Sequence, residues 1–91
     1  MKNYIKYDSI KLYYEHDLQK GYLERLVKYL SNIRNSPTMI ELRKNADIFL
    51  NSLNDICNYC KIDLKTKLDL IEVAGDNYEK AFNSIKRRMN N

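Results

Sequence analysis

The sequence predicts an all-α fold, an antiparallel three-helix bundle built from a single domain over residues 1–91. Three observations predict it. Two Gly and one Pro in 91 residues leave little turn punctuation, whereas a sandwich or barrel needs turn signals every ~8–12 residues. Hydrophobic residues are 44% and charged residues 31% of the chain, which suits a packed core and is too apolar for intrinsic disorder. Apolar positions also recur at steps of three and four over two long segments, the spacing of one helix face. A chain this short buries only about 60–65% of its unfolded surface, which leaves little room for an internal active-site cavity.

In the first third, Leu23, Leu26, Val27, Leu30 and Ile33 form an amphipathic face that stops at Asn35. Upstream, Ile10, Tyr14, Leu18, Tyr22 and Leu26 step by four and slide around a straight helix, so Gly21 is read as a kink or a break. A helix over about 9–34 fits the kink; two shorter helices fit the break and turn the bundle into four helices. The second helix opens after Asn35, with Ser36 as its cap and Pro37 at its first position, where the missing N–H has no intrahelical partner to lose. Met39, Leu42, Ala46, Phe49, Leu53, Ile56 and Cys60 then hold one stripe, which predicts a helix over about 37–60.

The third helix starts behind Asp63 as N-cap and carries Leu64, Ile71, Ala74, Tyr78, Ala81 and Ile85, broadened by Leu68, Phe82 and Met89. Asp76-Asn77-Tyr78-Glu79 has the spacing of a capping box that would open a new helix. The stripe nevertheless keeps its phase across Gly75, and one Gly costs only about 1 kcal/mol in a helix interior, so a continuous helix over about 64–89 is expected. Similar lengths joined by short loops give the up-down-up arrangement.

Several function classes fall away. Gly21 and Gly75 stand alone, so neither a GxGxxG nor a Walker phosphate loop can form. No apolar run approaches the ~20 residues that cross a bilayer, and lysines occupy the place of a signal peptide's apolar core, so a cytoplasmic location is expected. Cys57-Asn58-Tyr59-Cys60 has the CxxC spacing. It sits at a helix C-terminus, where the dipole disfavours a thiolate, and only His16 is at hand to complete a zinc site, so two buried apolar thiols are expected, with no metal and no cofactor. Glu15-His16-Asp17 are consecutive, and consecutive helical side chains diverge by about 100°. No serine carries a nucleophile signature. No catalytic residues are assigned, and the chain is expected not to be an enzyme.

Binding remains. Six of the eight Tyr fall within the first 29 residues, more than one stripe per helix can bury, and Tyr gives large contact area at low entropic cost. Tyr4, Tyr7, Tyr13 and Tyr14 are the expected partner-binding residues. The net charge is +4 and unevenly placed: an up-down-up bundle gathers Arg34, Arg43, Lys44, Lys86, Arg87 and Arg88 at one pole with Glu41 as the nearby acid. The first expectation is a small helical binding protein that docks on a protein partner and blocks or modulates it. In size and helicity alone it is similar to small inhibitors and immunity or regulatory factors of mobile elements. Its 39 Asn, Lys, Ile and Tyr residues, all with AT-rich codons, accord with a phage or mobile-element setting. The alternative is nucleic-acid binding through the basic pole without a standard motif. A third expectation is a homo-oligomer paired through the Met39–Cys60 stripe.

Overall fold

The computed structural model describes residues 3–90. A β-hairpin, β1 (Asn3–Tyr7) and β2 (Ile10–Tyr14), precedes three helices, α1 (Asp17–Arg34), α2 (Met39–Tyr59) and α3 (Leu64–Met89). The all-α expectation is thus corrected: a three-helix bundle is present, with a two-stranded antiparallel sheet laid against it. Neither the helix over 9–34 nor the four-helix form occurs. Gly21 lies inside an unbroken α1, and the irregular phase upstream of it has another cause, the period-two alternation of two strands.

That alternation runs through both strands. Tyr7 pairs with Ile10 across the two-residue loop Asp8–Ser9, followed outward by Lys6 with Lys11, Ile5 with Leu12, Tyr4 with Tyr13 and Asn3 with Tyr14. Asp8 takes the left-handed conformation, φ 51°, which tight hairpin turns require and which Asp tolerates better than most residues. Leu12 is fully buried, and Ile5, Tyr7, Ile10 and Tyr14 pack around the core. The opposite face, with Tyr4, Lys6, Lys11 and Tyr13, is exposed.

The helices carry the caps that start them. Thr38, not Ser36, caps α2, accepting from the Glu41 N–H at 3.2 Å. Ser36 is buried instead and donates to the Asn32 carbonyl at 2.8 Å, while Asn45 donates to both Ser36 Oγ and Asn32 O. This polar clasp closes the α1–α2 corner and satisfies groups left over at the end of α1. Asp63 caps α3 through the Thr66 N–H at 2.7 Å, and α3 passes Gly75 without interruption.

The core is formed by Leu23, Leu26, Leu30 and Ile33 of α1 and by Leu42, Phe49, Leu53 and Ile56 of α2, with Cys60, Leu12 and the inner face of α3. α1 packs against both other helices and both strands, so it is the axis of the fold. The radius of gyration is 14.0 Å against roughly 12 Å for a compact chain of this length, because one narrow core runs the length of three parallel-axis helices. On α2 the structure buries the stripe that spacing marks out, so Met39–Cys60 is internal and cannot serve as the self-pairing surface. On α3 it buries part of the expected stripe, Ala74, Ala81 and Ile85 with Tyr78 packed against the core, together with Leu70, Val73 and Asn77, while Leu64, Leu68, Ile71, Phe82 and Met89 are exposed.

Candidate functional site

The hairpin divides the four candidate tyrosines between its two faces, as a period of two demands. Tyr7 and Tyr14 point toward the helices. Tyr7 Oη accepts from Asn77 Nδ2 at 2.9 Å, and the same amide donates to the Leu30 carbonyl at 3.0 Å. Asn77 is buried and its Oδ1 has no hydrogen-bond partner. Its amide therefore locks hairpin, α1 and α3 to one another, and Tyr7 has a structural task. Tyr4 and Tyr13 face outward as a cross-strand pair, ring centroids 5.7 Å apart and inclined by 61°, the edge-to-face arrangement that aromatic quadrupoles favour. The Lys11 ammonium lies 4.9 Å from the Tyr4 ring centroid, within cation–π range.

Lys6 and Lys11 are also directly opposite each other, on the same outer face. Like charges facing across a sheet destabilise it, so this face holds two exposed rings beside two ammonium groups that repel. At its base, Tyr13 also lines the cleft beside the α2–α3 loop. The sequence signal for this surface was the alternation Tyr4-Ile5-Lys6-Tyr7 and Ile10-Lys11-Leu12-Tyr13 about Asp8-Ser9. The four-residue step through Ile10, Tyr14 and Leu18 masks that alternation, so spacing alone does not single out Lys6 and Lys11.

At the hairpin's turn end, Arg34 Nη1 stands 3.9 Å from Asp8 Oδ2. Both groups are well exposed, so the pair contributes little to stability, but it sets the turn beside the end of α1. Arg88 Nη2 donates to the Pro37 carbonyl at 3.2 Å, which brings the end of α3 to the start of α2. Arg34, Arg43, Lys44, Lys86, Arg87 and Arg88 therefore lie at one pole, with Glu41 and Asp8 as its acids and Lys6 and Lys11 next to the hairpin tip.

The other end of the molecule is chemically different. A cleft of about 440 Å³ opens between the hairpin's base, the start of α1 and the α2–α3 loop, lined by Tyr14, Glu15, Leu23, Cys60, Ile62 and Thr66 among others. Gln19 spans it, accepting from the Glu15 N–H and donating to the Lys61 carbonyl. Glu15, His16 and Asp17 are exposed around the α1 start, where His16 is the N-cap. Cys60 is buried and Cys57 half-buried, both as free thiols. Among the described residues no group of three or more His, Cys, Asp or Glu is placed to hold a metal ion, and no helix is long and apolar enough to cross a membrane. No protein-family model, no curated protein and no solved structure matches this chain.

Proposed function

We propose that this protein is a non-enzymatic docking module that binds an acidic surface of a protein partner through the outer face of its hairpin and so blocks or modulates that partner. One observation carries the reading: Tyr4 and Tyr13, each about half exposed, meet edge to face beside the opposed Lys6 and Lys11. The rings add nothing to the bundle core, and the lysine repulsion is relieved when carboxylates of a partner come between them. Tyr rings supply rigid contact area, and flanking lysines speed and orient encounter.

The test is capture of a partner by tagged protein, with and without nuclease, comparing the native chain with the Tyr4→Ser/Tyr13→Ser variant. A stoichiometric protein that survives nuclease and moderate salt, and is lost with the variant at unchanged far-UV circular dichroism, supports the reading. Equal retention by the variant refutes it.

Nucleic-acid binding through the basic pole is the second reading, favoured by the convergence that Asp8–Arg34 and Arg88–Pro37 produce. Arg88 is engaged with Pro37, so Lys86→Glu/Arg87→Glu is the cleaner variant. It should weaken binding on all sequences alike, and affinity should fall steeply with salt. Binding unchanged by salt removes this reading.

A further inference from the structure

The exposed side of α3 repeats with a coiled-coil period. Leu64, Leu68, Ile71, Gly75, Tyr78 and Phe82 follow one another at alternating steps of four and three, with Tyr78 half-buried against the core and Met89 one heptad beyond Phe82. Ile85, the position between them, is turned into the chain's own core. At 3.6 residues per turn, Ile71 and Phe82 lie about 120–140° around α3 from Asn77, the residue that meets α1 and the hairpin. The stripe is therefore turned away from α1 and the hairpin. α2 and α3 touch each other less than either touches α1.

We propose that this face binds a second copy of the chain, with α3 pairing parallel and in register with its twofold mate and crossing it at Gly75. Three features select this occupant. The first is area. Along the stripe, exposure runs from 39% at Phe82 to 73% at Met89. Taking roughly 200 Å² per large side chain, the stripe leaves about 550 Å² open, at the upper end of the 300–600 Å² patch typical of a monomer and approaching the ~800 Å² per partner of a stable interface.

The second feature is Gly75. It lies within the stripe, it is exposed, and a Cβ added there would meet nothing within 4 Å. Gly21 is equally open, so what sets Gly75 apart is its place within the apolar stripe. A second backbone crossing there would use the missing side chain, which lets two helices approach closely.

The third is charge, which chooses the orientation. In a parallel in-register pair the residue before one apolar position faces the residue five further on in the mate. Lys67 then meets Glu72 of the other copy. An antiparallel pair would instead set Glu72 against Glu79 and Lys65 against Lys86. The face lies away from the hairpin, so this inference goes beyond the docking reading and stands or falls separately from it.

Sedimentation equilibrium over about 5–500 µM tests it by mass action. The native chain should rise from its 10.9 kDa mass to twice that value. Leu68→Lys and Phe82→Lys, both at exposed positions, should stay monomeric with native helicity. Gly21→Ala and Gly75→Ala form the decisive pair. Both glycines are exposed helical positions with open space at the missing Cβ, so both variants gain helix stability, yet Gly75→Ala alone should shift the association midpoint, by tenfold or more. Leu68→Cys should oxidise to a covalent dimer under non-reducing conditions, with the unsubstituted chain as the control for Cys57 and Cys60. A native chain that stays monomeric at the highest concentration overturns the proposal, as does association that ignores the lysine variants or treats the two alanines alike. Cross-linking of Leu68→Cys to Phe82→Cys in place of itself overturns the parallel register.

Discussion

Helices α2 and α3 carry apolar residues at similar spacing and bury side chains of different size. α2 fills the core with large side chains, Leu42, Phe49, Leu53 and Ile56, while Ile40, Ile48, Leu50 and Tyr59 stay exposed. α3 buries Ala74, Ala81 and Asn77 alongside Leu70, Val73 and Ile85, and leaves Leu64, Leu68, Ile71 and Phe82 outside. The difference follows from what presses on each helix. α3 meets α1 and is also reached by the hairpin through Tyr7, so small residues fit its inner face and bulky ones would overfill it. A stripe of hydrophobic residues thus marks a helix without saying which stripe is core.

The widest test of this contrast is a matched pair of aromatic truncations. Phe49→Ala should destabilise by about 3–5 kcal/mol, enough to unfold much of a domain with so small a margin. Phe82→Ala, compared in urea at a concentration low enough for the monomer, should cost under about 1 kcal/mol. Similar losses at the two positions would mean that the inner and outer faces of α3 have been exchanged.

Asn77 sharpens the comparison, since it gives α3 a polar inner contact that α2 lacks at its centre. Asn77→Ala should cost about 1–3 kcal/mol, because Tyr7 Oη and the Leu30 carbonyl lose their shared donor. Hydrogen exchange should locate the damage: hairpin amides lose protection while those of α2 keep theirs. If hairpin protection persists, burial of Leu12 alone holds the strands. Thr38→Ala, which removes the α2 cap, should cost about 1 kcal/mol and fray only the first turn of that helix, readable as a small fall in the urea midpoint. The smallest effect has the opposite sign: Gly75→Ala should stabilise the monomer by up to about 1 kcal/mol, raising the thermal midpoint at low concentration, and a fall there would point to a clash that the open space around Gly75 does not contain.

The hairpin shows a different limit of sequence reading. Its strands have five residues each, too few for period two to stand out against period four. Ile10, Tyr14 and Leu18 fall by coincidence on a four-residue step that continues into α1. The turn lacks glycine, so its signal rests on Asp8 alone. The same misreading grouped Tyr4, Tyr7, Tyr13 and Tyr14 as one surface, whereas the sheet sends Tyr7 and Tyr14 inward and leaves Tyr4 and Tyr13 outside with Lys6 and Lys11. The convergence of the α1 end, the α2 start and the α3 end follows from helix order and short loops alone.

By itself the sequence determined what is local. The continuity of α3 through Gly75, its cap at Asp63, the extent of α2 to within two residues and the identity of its buried stripe all rest on hydrogen bonds and side-chain spacings within a few positions along the chain. Tertiary structure alone decided the rest: that residues 3–14 pair as strands, that Asn77 and not Ile71 turns inward, and that Tyr7 belongs to the fold while Tyr4 faces solvent. Those outcomes depend on which volumes and polar groups meet across distances as long as the 70 positions between Tyr7 and Asn77, and no local pattern encodes that meeting.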